Sequence, residues 1–132
     1  MILPNGATVA VADGETLSLF KNGGHEGGLS LKALQTPELN GGNSGASRRS
    51  SEAEHDDKSQ AEDGYAAASA AWLNKQVLEG KIGPLMVIAA PRTLGELRKH
   101  YHKQLEAVLV GELAKDLVGR PVAEIEAAVA NA

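Results

Sequence analysis

The sequence predicts an α/β fold built on a mixed five-stranded sheet, with element order β-β-β-α-β-α-β-α. Three observations carry this expectation. The first third of the chain alternates apolar and polar residues in short runs broken by Gly-rich turns. Residues 85–90, Leu-Met-Val-Ile-Ala-Ala, are apolar throughout, as a strand covered on both faces must be. Apolar residues at helical spacing lie on both sides of that run.

Residues 7–12 (Ala-Thr-Val-Ala-Val-Ala) and 15–21 (Glu-Thr-Leu-Ser-Leu-Phe-Lys) flank Asp13-Gly14. Two β-type runs joined by Asp-Gly predict a hairpin with a two-residue type I′ turn, which needs positive φ at both positions. Alternation places Val9 with Val11 on one face, and Leu17 with Leu19 on one face of the partner strand. Asn22 to Gly28 form a turn. Leu29 to Ala33 then alternate again as a third antiparallel strand.

Residues 36–58 carry Pro37, Gly41, Gly42, Gly45, a Ser/Arg cluster and several carboxylates, with Leu39 as their one sizeable apolar residue. Such a stretch buries too little surface to offset its ordering entropy and is expected to be a long, flexible loop. Ser59-Gln60-Ala61-Glu62 reads as a capping box opening a helix from about 60 to 79, with Gly80 as its stop. After the 85–90 strand and Pro91, Thr93-Leu94-Gly95-Glu96 reads as a second capping box, opening a helix over roughly 94–106. A short strand is expected within 108–115. Pro121 suits the first position of a last helix striped by Val122, Ile125 and Val129. The whole, residues 1–132, is expected to be one domain. A meander followed by α/β crossovers in this order is that of ribonuclease H-like folds.

Composition narrows the function classes. The net charge of −4 argues against a protein that coats nucleic acid by bulk charge, while leaving room for a local basic patch. The absence of cysteine removes disulfides and thiolate zinc sites. No basic-then-apolar leader opens the sequence, and no run is long enough to span a bilayer, so the expected location is cytoplasmic.

Four segments resemble a known family. Val9-Ala10-Val11-Ala12-Asp13-Gly14, Ala71-Trp72-Leu73-Asn74, the run Val87 to Arg98 and the tail Gly111 to Leu117 look like the bacterial host-attachment proteins, named for a role in attachment to host cells. The Ala-Ala-Pro-Arg-Thr-Leu-Gly-Glu-Leu-Arg stretch is the most specific part. That family is in turn similar to the middle domain of archaeal and eukaryotic class-1 release factors, a ribonuclease H-like fold. The resemblance implies a loop between the third strand and the first helix. In release factors that loop carries Gly-Gly-Gln and promotes peptidyl-tRNA hydrolysis. Here the slot holds Gly41-Gly42-Asn43-Ser44, followed by Arg48 and Arg49, and Asn43 is one methylene shorter than the glutamine.

Candidate sites follow from the residues. Asp13 and Glu15 stand where a nuclease metal ligand would, yet turn chemistry accounts for Asp13. Arg92 and Thr93 lie beyond a buried strand at a helix start, where open α/β sheets bind anions; Thr93 also serves as a plain cap. Arg98, Lys99, His100, His102 and Lys103 form a basic stretch that reads either as a solvated helix face or as a phosphate contact, and two histidines two residues apart make a poor metal pair. His25-Glu26 and His55-Asp56-Asp57 read as solvated loop residues. No metal site and no cofactor is expected. The expected function is a non-catalytic binding module, with tRNA, the ribosome or a regulatory protein as partner. The alternatives are a hydrolase of peptidyl-tRNA or nuclease type acting through Gly41-Gly42-Asn43, and a protein-interaction factor.

Overall fold

The computed structural model describes residues 3–24, 29–37, 39 and 54–132, with side chains from 61 onward in the first helix. Three strands come first: β1 (Thr8–Ala12), β2 (Leu17–Asn22) and β3 (Leu31–Ala33). A long helix α1 (Glu54–Leu78) leads to β4 (Leu85–Ala89). Then come two short helices, α2 (Pro91–Arg98) and α3 (Lys103–Val108), the strand β5 (Leu109–Ala114) and a last helix α4 (Val122–Ala130).

The strands form one sheet in the order β3-β2-β1-β4-β5. β1 pairs antiparallel with β2, Ala12 opposite Leu17, and parallel with β4, Ala12 opposite Ala89. β2 pairs antiparallel with β3, and β4 pairs parallel with β5. The central strands β1 and β4 are buried at every position, because helices cover both faces. On one face Ala10, Ala12, Leu17, Leu19, Val87 and Ala89 meet Ala66, Ala70 and Leu73 of α1, Leu94 and Leu97 of α2, and Leu105 of α3. On the other, Val9, Val11, Phe20, Met86 and Ile88 meet Ile125 and Val129 of α4 and the N-terminal Leu3. The expected mixed five-stranded α/β sheet is therefore present.

Four local expectations are corrected. The β1–β2 connection is a four-residue loop, 13–16, and Gly14 does not adopt positive φ, so no type I′ turn forms. Instead the Asp13 carboxylate accepts hydrogen bonds from the Glu15 and Thr16 amides at 2.7 and 2.6 Å. This local closure satisfies two loop amides without left-handed backbone. Gly14 is required for another reason: a Cβ there would lie 2.5 Å from Cγ and 2.6 Å from Cβ of Glu62 on α1.

The first helix starts at Glu54, so Ser59 to Glu62 lie inside it and residues 54–58 do not belong to the long loop. A first turn rich in carboxylates suits the positive end of a helix dipole, a start signal that competes with the capping box. The C-terminal end agrees with expectation. Gly80 takes φ +76°, the Gly80 amide donates to Val77 O and the Lys81 amide donates to Gln76 O, which is a Schellman closure.

The helix expected over 94–106 is two helices, giving β-β-β-α-β-α-α-β-α. It begins at Pro91, whose fixed φ and missing amide suit the first helical position, so Thr93 is the third helical residue and caps nothing. It breaks at 99–102 because Asn74 of α1 captures the turn: its Nδ2 donates to His100 O at 2.8 Å and its Oδ1 accepts from the His102 amide at 2.9 Å. The last helix places Pro121 at the N-cap, one position before the expected site.

Candidate functional site

Asp13 just after β1, Glu62 and Asp63 in α1, and Arg92 at the start of α2 come together at the C-terminal ends of β1 and β4. Arg92 reaches Asp63 Oδ1 at 3.5 Å, and both side chains stand well out in solvent. Thr93 sits half-buried beside it within α2. Tyr65 lies just beneath, where burial pushes its phenol above the ordinary value, opposed by a hydrogen bond with the Leu17 backbone and reinforced by the Asp13 charge. Asp13 is committed to its own turn. Among the described residues no three His, Asp or Glu side chains converge as metal ligands.

The basic stretch is spread over the end of α2, the turn after it and the start of α3, and most of its charge is balanced. Arg98 grips Glu112 of β5 through Nε at 3.1 Å and Nη2 at 2.8 Å. The Tyr101 hydroxyl donates to the same carboxylate at 3.4 Å. Burial, with Glu112 adding to it, pushes the Tyr101 phenol well above its ordinary value. Lys99 reaches Glu96 at 3.1 Å, and His100 approaches the same carboxylate at 3.6 Å. The Lys99 hydrogen bond, ahead of its charge and of His100, holds Glu96 below the usual carboxylate range despite a smaller opposing desolvation. His102 is the N-cap of α3, its Nδ1 accepting from the Gln104 amide at 3.0 Å. Lys103 makes no ion pair among the described residues.

A third feature lies where the chain leaves β3. Gln35, Thr36, Pro37 and Trp72 of α1 line an open groove of about 550 Å³. Trp72 rests one side on the core, where Leu39 also packs, and is partly exposed on the other. The groove thus stands at the root of the segment that carries Gly41, Gly42, Asn43, Arg48 and Arg49. Those five residues lie outside the described residues, as do His25 and Glu26 and the side chains of His55, Asp56 and Asp57.

Sequence reasoning missed both Asn74 and the groove. Asn74 lay within one of the segments that carried the family resemblance, but its partners are 26 and 28 residues away, and no local pattern announces them.

No curated protein matches the chain. A family model does, over residues 6–129, which takes in the strands and helices of the described residues up to the last residue of α4. With all five strands, the Asp13 loop and the Trp72 groove inside that match, the release-factor side of the resemblance holds: this chain belongs to bacterial archaeo-eukaryotic release factor family 12.

Proposed function

We propose that this protein is a cytoplasmic, non-catalytic binding module of the translation apparatus, contacting tRNA or ribosomal RNA through the segment between β3 and α1. The observation that carries the reading is the family match over 6–129, together with the position of that segment. It joins the third strand to the first long helix, as the Gly-Gly-Gln loop does in the release factors that the chain resembles. The ribonuclease H-like description of the fold belongs to the same reading.

Within the segment, Arg48 and Arg49 are the phosphate contacts in this proposal. They are favoured over Arg98 and Lys99, whose charges Glu112 and Glu96 already balance. Arg92 and Thr93, at the C-terminal end of β4, are a secondary anion contact, available when Arg92 leaves Asp63. Asn43 shortens the catalytic glutamine by one methylene, which supports binding without hydrolysis. Attachment to host cells is then a downstream consequence of altered translation. No helix of the described residues is long and apolar enough to cross a membrane, which fits this location.

The test is purification of the native protein, with sequencing of co-purifying RNA and mass spectrometry of co-purifying protein. Recovery of tRNA or ribosomal components, lost in Arg48→Glu/Arg49→Glu and retained in Asn43→Ala, is the expected result. A specific protein partner with no nucleic acid would overturn it. Peptidyl-tRNA hydrolysis that disappears in Asn43→Ala would replace the binding module with a hydrolase.

A further inference from the structure

Two Asn-Gly pairs, Asn5-Gly6 and Asn22-Gly23, meet at the corner where the N-terminal segment joins the β2–β3 turn. Asn-Gly is the pair most prone to deamidation, because glycine has no Cβ to shield its amide nitrogen. In that reaction the glycine nitrogen bonds to the asparagine Cγ and gives up its proton. The Cγ–Nδ2 bond breaks, and the nitrogen leaves as ammonia with that proton. Water then opens the resulting succinimide ring to aspartate or isoaspartate. The glycine N–H must be free of an acceptor, and the asparagine side chain must be free to swing over it.

The corner denies both requirements at both pairs. Gly23 N–H donates to Ser30 O at 2.8 Å, and Gly6 N–H donates to Asn22 O at 2.7 Å. Asn22 is buried, and its carboxamide is held at both atoms. Nδ2 donates to Leu3 O and Pro4 O, and Oδ1 accepts from the Gly24 and Ser30 amides. Asn5 Nδ2 donates to Gly24 O. Each pair is closed by the other's loop: the Asn22 carbonyl holds the nucleophile of the first pair, and its side chain holds the two carbonyls just before Asn5.

We propose that this corner is a coupled deamidation site, shut in the native chain, in which conversion of Asn22 opens Asn5 to the same reaction. The trigger is local opening of the turn over residues 22–30. Aspartate at position 22 has no Nδ2 donor, so Leu3 O and Pro4 O face a carboxylate. Isoaspartate adds a methylene to the backbone and disturbs the pairing of position 22 with Leu31. Either product loosens the N-terminal segment, and the Gly6–Asn22 and Asn5–Gly24 bonds go with it. The altered chain keeps a covalent record of having opened.

The two glycines differ in a way that makes the coupling testable. Gly6 takes φ +85°, where a side chain is strained. Gly23 does not, and a Cβ there would meet Lys32 Cε at 3.8 Å and Ser30 O at 4.0 Å, both ordinary contacts. Gly23→Ala therefore keeps the fold while shielding the nucleophile beside Asn22.

Trypsin separates the two sites. Asn5 is the sole asparagine of residues 1–21 and Asn22 that of residues 22–32, and neither peptide holds a glutamine. The full chain is incubated at mildly alkaline pH, folded and fully unfolded in urea, and mass spectrometry of the two peptides follows the conversion of amide to acid. Both should convert at least about tenfold more slowly in the folded chain, since each tenfold needs only about 1.4 kcal/mol of local opening. In urea below the unfolding midpoint, where opening is frequent, residues 22–32 should convert ahead of residues 1–21. Under the same conditions Gly23→Ala should suppress conversion at Asn22 and, with it, at Asn5. Asn22→Asp should speed conversion at Asn5 in a chain that circular dichroism shows to be folded.

Equal rates for residues 22–32 in the folded and unfolded chains would overturn the closure. Asn5 converting in Gly23→Ala at the wild-type rate would overturn the coupling, and this variant decides it even if Asn22→Asp does not fold.

Discussion

Asn22 shows how one buried polar side chain can organise a corner of the fold. It is 1% exposed. Its Nδ2 donates to Leu3 O and Pro4 O, at 3.0 and 3.2 Å, and its Oδ1 accepts from the Gly24 and Ser30 amides. All the hydrogen-bonding capacity of one amide is used to join the N-terminal segment to both sides of the β2–β3 turn. Asn22→Asp keeps the acceptors and removes the donor, leaving two carbonyls facing a carboxylate. It should cost about 2–3 kcal/mol in urea unfolding. Gly14 makes the opposite point, since what matters there is absent atoms. A methyl at Gly14 would run into Cβ of Glu62, which is anchored to the α1 backbone, so it cannot swing aside as a side-chain tip would. Gly14→Ala should lower stability by about 1–3 kcal/mol, read as a fall in melting temperature, through overpacking between the β1–β2 loop and α1.

Elements are held to one another by side chains that act as clasps. Glu126 of α4 accepts from the Leu31 amide of β3 at 2.8 Å, which occupies a backbone donor on the sheet edge. At the other edge, β5 carries a bulge: Leu85 pairs with Leu109 and Met86 with Gly111, so Val110 is the extra residue. The bulge lets Leu109 face the α1 side while Leu113 packs on the α4 side, and it interrupts a strand that would otherwise be open to pairing. Asn74 fastens the α2–α3 turn. Asn74→Ala should cost about 1–2 kcal/mol and raise amide exchange at 100–104 selectively, as seen by hydrogen-exchange mass spectrometry.

The end of α2 is also sensitive to acid. Glu96 has its pKa lowered in the fold by Lys99 and His100, so its stabilising share is complete above the ordinary value of 4.5 and is lost as pH falls through the lower folded value. Glu96→Gln should therefore flatten the acid limb of the stability curve below about pH 4.5 and change little above it beyond a constant offset.

At the scale of the whole molecule, one sheet separates two cores that share no residues. Ile82 belongs to the core beneath α1, α2 and α3, and Ile125 to the core beneath α4. Packed faces of a sheet stand about 10 Å from what covers them, beyond the range of direct coupling. Ile82→Val and Ile125→Val should each cost about 0.5–1.5 kcal/mol, and the double variant should equal their sum within about 0.5 kcal/mol. A larger departure would mean that the sheet transmits strain between its faces.

Composition and periodicity determined the element types, the antiparallel start, the doubly buried β4 and the Gly80 stop, because each depends on neighbours within a few residues. The same local signals determined the family resemblance, through stretches such as residues 87–98. They misread the Asp13-Gly14 turn, the start of α1 and the single helix over 94–106. In each case a second local signal or a distant partner prevailed: the Asp13 carboxylate, the acidic first turn, and Asn74 reaching across from α1. Tertiary structure alone decided where charge is spent. Arg98 and Lys99 looked like a basic face until Glu112 of β5, fourteen residues from Arg98, and Glu96 supplied carboxylates. Coulomb attraction depends on distance in space, and distance in space between remote residues is set by the fold and not by their order along the chain.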